Sequence, residues 1–264
     1  MRLRVHPKAY PKACFKNNLT EVLQSGIIRL VSEMVIFGDE DENADSVGVE
    51  PFLRAVVAGE LPQLKAVSIW CCDLSQASFG PELIAEAVVN LKECDLGRTD
   101  LPTGWRRAIL DKIIEAEHMR LGRLLVSFRE SEEIPGEILM KAAVKLEYTN
   151  IYEKIKDTEK PEWFKFIAES PIMNMKHIEA NKFMSNVTPD DLAAALVRVE
   201  KVVAWNLSKA QSRALLNKIA SGEDIKLRKL MFRATSDVPP EVLALGTSSG
   251  QTGVCGSQVK SSHT

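Results

Sequence analysis

The chain has 264 residues, a net charge of -2 and a hydrophobic fraction of 45%. These values are ordinary for a soluble globular protein with a sizeable core in one large or two small domains. The balanced charge gives no argument for binding nucleic acid or an anionic membrane, and no apolar run approaches the length of a membrane span. Five cysteines without C-x-x-C spacing favour reduced thiols in the cytoplasm, with the nucleus as the alternative, over a disulfide framework.

The first 19 residues form a basic segment, and the first acid of the chain is Glu21. This segment also lacks the apolar stretch of a secretory signal. We expect residues 1–19 to be a flexible leader. A mitochondrial presequence, which is also basic, and the start of a longer protein are the alternatives.

Two classes of helix alternate along the chain. In the first class an acid opens the segment and an aliphatic residue closes it nine positions later, as in Glu21–Leu30, Glu82–Leu91, Glu137–Leu146 and Asp190–Val199. Prolines just before the acid suit the first turn of a helix. The second class starts at residues 56, 113, 167 and 219, so the intervals are 57, 54 and 52 residues. The repeating unit is therefore a pair of helices.

A short strand-like phrase follows each helix. The clearest copy starts at Leu64 and reads Leu-x-x-Val-x-Ile-x-x-Cys-x-Leu. The other copies start at Leu91, Leu121, Leu146, Met175, Val199, Leu227 and, in a poorer copy, Leu30. Over these copies 22 of the 24 residues at positions one, four and six are apolar, with Glu33 and Thr149 as the exceptions. This register predicts that the three positions fill a common core.

These phrases match the leucine-rich pattern L-x-x-L-x-L-x-x-N/C-x-L. Over residues 20–245 the chain resembles the intracellular leucine-rich-repeat proteins of the ribonuclease-inhibitor type, in which two alternating repeats tile the sequence. The resemblance implies an α/β fold, a leucine-rich-repeat solenoid of about eight repeats in a horseshoe or arc. It places a parallel β-sheet on the concave face and α-helices on the convex face, and it implies binding of another macromolecule.

Two positions depart from the family pattern. Position nine should be Asn, Cys or Thr, whose side chain satisfies backbone groups in the turn after the strand. Cys72, Thr99 and Thr235 fit this rule. The other copies carry Gly38, Arg129, Lys154, Phe183 and Leu207. Because position eleven is also apolar only at Leu74 and Leu101, we expect looser turns in the middle and late repeats.

Two further segments fall outside the repeats. Residues 38–45 (GDEDENAD) form an acidic insertion, which we interpret as a solvated loop, with a docking site for a basic partner as the alternative. Residues 246–264 contain 12 Gly, Ser or Thr among 19, which predicts a flexible tail. The last helix then lacks a strand to close its repeat, so either the tail covers it or the natural array is longer.

Alternate strand residues face opposite sides of a sheet, so positions three, five and seven should line the concave surface in rows. Position seven carries three large aromatic rings, a residue type that dominates interface hot spots. From the first strands to the last, the charge along these rows changes from acidic to basic. A partner with the opposite charge gradient would be oriented by it. The candidate partner-binding residues are Trp70, Asp95, Arg123, Tyr148, Tyr152, His177, Glu179, Lys201, Trp205, Lys229 and Arg233. Trp105 and Trp163, near helix starts, are expected to pack among the helices.

The sequence contains no recognisable pattern for catalysis. The four histidines have no cysteine or carboxylate at metal-ligand spacing, and the tail lacks the strand and G-K-[ST] of a phosphate loop. We therefore expect no enzyme, no cofactor and no metal. The favoured function is a protein-interaction module (scaffold, inhibitor or receptor) that binds a protein partner on its concave face. The alternatives are a GTPase-activating protein, since one family with similar repeats has that activity, and a nucleic-acid-binding solenoid.

Overall fold

A computed structural model describes residues 2–5, 23, 30–37, 48–74, 77–102, 104–128, 133–180, 185–204, 207–222, 225–232 and 253–254. Helices and strands alternate along the chain, and every strand pairing is parallel. The protein is therefore a mixed α/β protein with parallel sheets, which confirms the predicted fold class at this level. The chain divides into two compact units, Met1–Lys154 (unit 1) and Ile155–Thr264 (unit 2), and each is described by itself.

Unit 1 contains a six-stranded sheet whose strands lie side by side in chain order. The strands are β1 (Arg2–Val5), β2 (Glu33–Phe37), β3 (Ala66–Asp73), β4 (Glu93–Asp100), β5 (Arg123–Val126) and β6 (Tyr148–Thr149). The helices are α1 (Val49–Val57), α2 (Pro81–Asn90), α3 (Trp105–Glu115) and α4 (Gly136–Ala143), and a 3-10 helix, Ile151–Lys154, follows β6. Strand β1 lies inside the segment that the sequence assigned to a leader.

Unit 2 contains a four-stranded sheet with the order β10-β9-β8-β7. Its strands are β7 (His177–Ala180), β8 (Lys201–Ala204), β9 (Lys229–Phe232) and β10 (Gly253–Val254). Its helices are α5 (Lys160–Glu169), α6 (Pro189–Leu196) and α7 (Lys209–Ser221), with a 3-10 helix, Asp157–Glu159, ahead of α5. Strand β10 lies inside the segment that the sequence assigned to a tail.

The core of each unit lies at the positions that the repeat pattern marks. In the seven phrases from Leu64 onward, every described side chain at positions four and six is buried, with Leu124 and Val202 fully so. The apolar faces of the helices contribute the rest, including Phe52 and Ile84, both with no exposed surface. The strands of these phrases thus present one face to a core shared with helices and the other face to the outside.

The structure corrects the predicted register of the first copy of the phrase. The sequence placed its start at Leu30, which makes Glu33 a core residue, but Leu30 is 69% exposed and Glu33 is exposed. Val31, Met34 and Ile36 are at most 1% exposed, and Val35 between them is 4% exposed. Because side chains in a strand alternate, a shift of one residue exchanges the two faces. The phrase therefore starts at Val31, and all three of its core positions are apolar.

In the two phrases where position nine can be followed, its side chain forms a hydrogen bond to a backbone carbonyl, although both residues lie within the strands and not in the turn after them. The Thr99 hydroxyl is buried and donates to the Ile69 carbonyl of the neighbouring strand. The Cys72 thiol donates to the Trp70 carbonyl at 3.6 Å. Leu74 and Leu101, at position eleven, are fully buried. These contacts satisfy backbone groups that the end of a strand would otherwise leave without partners.

The helix signals of unit 2 are confirmed. Ser208 and Gln211 form a reciprocal capping box at the start of α7, with bonds of 3.2 Å and 3.0 Å. The Thr188 hydroxyl accepts from the Asp191 backbone N–H at the start of α6. Trp163 is buried in the first turn of α5, as predicted for a packing residue.

Trp105 plays the corresponding part in unit 1. It is buried in the first turn of α3, where its ring lies 5.3 Å from the ring of Phe79. Beside it, Arg106 is 1% exposed and donates to the carbonyls of Leu101 and Ser127. The start of α3 therefore ties together the turns that follow β4 and β5.

Candidate binding surface

The outer face of the sheet in unit 1 carries rows of side chains in register. At position three, Ala66, Glu93, Arg123 and Tyr148 lie opposite one another on β3 to β6. At position five, the row is Ser68, Asp95 and Leu125. Both rows match the register that the sequence predicts, which is confirmed for these strands. Together with Trp70 and Arg98, these residues are called the unit 1 face.

Arg123 stands at the centre of the position-three row. Its guanidinium lies 3.7 Å from the Glu93 carboxylate and 5.0 Å from the centre of the Tyr148 ring. The Arg123 and Glu93 side chains are 49% and 45% exposed, so solvent screens their attraction and the pair stabilises the fold little. The cation and the ring nevertheless remain accessible to a partner, and neither is used by the core.

Trp70 does not lie where the sequence placed it. The sequence set it beside Gly97 at position seven, but its partner on β4 is Arg98, because the register shifts between Ser68 and Trp70. The Gly97 N–H donates to the Asp95 carboxylate at 2.9 Å, and a Cβ at Gly97 would lie 3.1 Å from that oxygen. A glycine in a strand often marks such a bulge, and this signal was in the sequence.

The shifted register gives Trp70 a cationic neighbour that sequence reasoning missed. The Arg98 guanidinium lies 5.3 Å from the centre of the Trp70 ring. Arg98 is exposed and Trp70 is half-buried. Stacked arginine and tryptophan side chains combine a large apolar area with a fixed charge, which is a combination common in binding sites.

A depression of about 310 Å³ opens on the unit 1 face. Its floor lies on β3, where Ala66 and Ser68 are small. Larger side chains on the neighbouring strands, Glu33 on one side and Glu93 on the other, form its walls, and Trp70 also lines it. The difference in side-chain size between adjacent strands is what creates the concavity.

The strand position predicted for Tyr152 is wrong. The sequence placed it at position seven of a strand, but β6 ends at Thr149 and Tyr152 lies in a 3-10 helix. The reason is Asn150, whose side-chain amide donates to the Val126 carbonyl at 3.0 Å and accepts from the Val126 N–H at 3.1 Å. The side chain takes the place of backbone pairing, so the strand stops.

The outer face of the sheet in unit 2 has a different composition. His177, Lys201 and Lys229 lie opposite one another on β7, β8 and β9, and Glu179 and Val203 are paired in the next row. This register was also predicted and is confirmed. The remaining candidates, Trp205 and Arg233, lie outside the described residues.

The pKa of His177 depends on the groups around it. Burial of the side chain and, to a lesser degree, the charge of Lys201 lower the pKa of His177, whereas the Glu179 carboxylate, 3.8 Å from Nε2, acts in the opposite direction. His177 therefore favours its neutral form more than an exposed histidine does. Its charge state depends on which groups surround it.

Two further observations concern chemistry. Within the ranges that the structure describes, no group of three His, Cys, Asp or Glu side chains could hold a metal ion. Cys72 and Cys94 are free thiols and both are buried; burial, with help from the Asp95 charge, raises the pKa of Cys94. A thiol held in its protonated form is a poor nucleophile.

The described helices are short, and none is both long enough and apolar enough to cross a bilayer. The longest, α7, has 13 residues, whereas a span needs about 20. Comparison of the chain with family models, with curated proteins and with solved structures found no match.

Proposed function

We propose that this chain is a leucine-rich-repeat solenoid of the ribonuclease-inhibitor type that binds a protein partner on the outer faces of its sheets, and that it acts by binding and not by catalysis. Parallel strands in chain order and alternating helices support this proposal, because in a solenoid each repeat contacts only its neighbours. The backbone bonds of Cys72 and Thr99 support it further, since they occur at the position that the repeat pattern reserves for that purpose.

The unit 1 face is the observation that carries the proposal. It places two arginine–aromatic pairs, Arg123 with Tyr148 and Arg98 with Trp70, on adjacent strands beside a depression. Arginine, tyrosine and tryptophan are the residues most enriched in interface hot spots. Because the core lies on the opposite side of the sheet, these side chains can vary without changing the fold, and a binding role accounts for their presence.

The proposal is tested by affinity purification with matched variants of the full chain. The face variant carries Arg98→Ser and Arg123→Ser, and the control variant carries Arg107→Ser and Lys141→Ser on α3 and α4. Both remove two exposed positive charges, so the comparison separates position from net charge. Proteins that the wild type and the control retain, and the face variant loses, are the partner candidates.

The decisive measurement uses the purified partner. We expect calorimetry to show an affinity for the face variant weaker by about tenfold or more, with the control near the wild type. Circular dichroism should show the same fold for all three proteins. Equal affinities for the face and control variants would contradict the proposal.

A further inference from the structure

Two lysines face outward side by side in unit 2. Lys201 on β8 lies directly opposite Lys229 on β9, and His177 lies opposite Lys201 on β7. Adjacent strands are about 4.8 Å apart, so the two lysine side chains leave the sheet next to each other. Neither lysine forms an ion pair with any residue that the structure describes. Like charges placed opposite one another destabilise a sheet, and an anionic ligand would remove that cost.

The next row differs in character. Val203 lies beside Met231 on β8 and β9, and both are half-buried. Glu179 is in the same row on β7, where its carboxylate lies near His177. The outer face of unit 2 therefore has a cationic row, Lys201 and Lys229, next to an apolar pair, Val203 and Met231. We call these four residues the lysine face.

We propose that the lysine face docks an acidic, amphipathic segment of a partner protein, an inference that rests on the proposed function. Carboxylates of the segment would pair with Lys201 and Lys229, and its apolar side chains would cover Val203 and Met231. The carboxylates would complement the charge of the lysine row, and the apolar side chains would complement the apolar pair.

The same observations favour a peptide over a nucleic acid. A phosphate backbone would pair with the lysines but would leave the Val203 and Met231 side chains without an apolar partner. Binding of single-stranded nucleic acid also relies on aromatic stacking platforms, and the described side chains of the lysine face include no ring.

The inference is tested with the full chain and three labelled probes of similar length. The first is a peptide that combines glutamates with leucines, the second is the same peptide with lysines in place of glutamates, and the third is a single-stranded RNA. Binding is followed by fluorescence anisotropy at low and at moderate salt. We expect the acidic peptide to bind, the basic peptide not to bind, and the affinity to fall as salt increases.

Two charge-matched variants locate the binding site. The double variant Lys201→Ser, Lys229→Ser should weaken binding of the acidic peptide by about tenfold. The control, Lys165→Ser with Lys209→Ser, removes the same charge from helices α5 and α7, where both lysines are exposed, and should bind as the wild type does. Failure of the acidic peptide to bind, or equal weakening in both variants, would overturn the inference. Tighter binding of the RNA, lost in the lysine variant, would replace the peptide with a nucleic acid.

The two proposals can fail separately. If the partner found by affinity purification depends on Arg98 and Arg123 while the acidic peptide does not bind, the lysine-face inference alone is wrong. If neither set of variants changes the retained proteins, the proposed function is wrong as well.

Discussion

Two cations, each two residues after the end of a helix, contact the C-terminal end of the preceding helix. The Lys145 ammonium donates to the carbonyls of Ile113, Ile114 and Ala116, at 3.2, 2.5 and 2.9 Å, at the C-terminal end of α3. The last carbonyls of a helix have no partner within the helix and carry its negative partial charge. One ammonium group therefore satisfies three acceptors and the helix dipole together.

Arg198 repeats this arrangement in unit 2. Its guanidinium donates to the carbonyls of Ile167, Ala168 and Ser170, at 2.7, 2.6 and 2.6 Å, at the end of α5. Neither α3 nor α5 is followed at its cap by a left-handed residue, whereas Gly59 after α1 and Gly222 after α7 have φ of 71° and 72°. A glycine closes the helix by backbone bonds alone; α3 and α5 lack one, and the cation satisfies their last carbonyls instead.

We predict that Lys145→Met destabilises unit 1 by about 2–3 kcal/mol, because a bond to a charged group contributes about 1.5–3 kcal/mol and the three bonds to one group are not additive. Methionine keeps most of the apolar stem, so the loss reports the charge and its bonds. The control is Lys141→Met in α4, just before the turn that holds Lys145; its exposed pair with Glu137 contributes about 0.3–0.5 kcal/mol.

Urea denaturation followed by circular dichroism measures the difference. Since the chain has two compact units, their transitions are fitted separately where they separate. Lys145→Met should lower the midpoint of the unit 1 transition, and Arg198→Met should lower that of unit 2. A loss for Lys145→Met no larger than that for Lys141→Met would show that the carbonyls are equally well satisfied by water, and the reasoning would be refuted.

Two further outcomes are expected. Thr99→Val should cost about 1–3 kcal/mol, measured by denaturation, because it leaves the buried Ile69 carbonyl without its donor while keeping the side-chain volume; an unchanged stability would contradict this. The pKa of His177, followed by NMR, should rise in Lys201→Met and fall further in Glu179→Gln. The pKa of His177 in the folded protein is below its ordinary value of 6.5, so the unfolded chain binds more protons at this residue. The free energy of unfolding should therefore fall as the pH drops below 6.5. A measured pKa above 6.5 would contradict this and would reverse the pH dependence.

The repeat pattern predicted the core because burial imposes a period of two on each strand. Apolar side chains occupy positions four and six in the phrases except at Thr149, and the described side chains at those positions from Leu64 onward are buried. Aligning the phrases by their apolar positions then predicts which residues face one another, so the pairing of Glu93 with Arg123 and of Lys201 with Lys229 could be predicted from the sequence alone. The one-residue error at Leu30 arose because Leu30 and Val31 are both aliphatic and either could begin the phrase. Only the start at Val31 makes all three core positions apolar.

The apolar repeat pattern does not predict local polar contacts. The end of β6 is set by the Asn150 amide, and the position of Trp70 is set by the bulge at Gly97. Neither effect changes the apolar periodicity. The cations Lys145 and Arg198 did leave a signal in the sequence. Each is the next-to-last residue of a predicted helical segment, Glu137–Leu146 or Asp190–Val199. The carbonyls that they contact lie about 30 residues earlier, and a sequence does not show that proximity.

The alternation of strand residues separates folding from binding in this molecule. Truncating a buried side chain such as Leu124 removes core contacts at a cost of about 2–5 kcal/mol, whereas its neighbour Arg123 contributes a half-exposed ion pair and a ring contact of about 1 kcal/mol together. The fold therefore constrains one face of each strand strongly and the other weakly. That is why periodicity predicts the architecture and not a partner: the proposed binding residues lie in the weakly constrained rows, which carry arginines next to aromatic rings in unit 1 and adjacent lysines in unit 2.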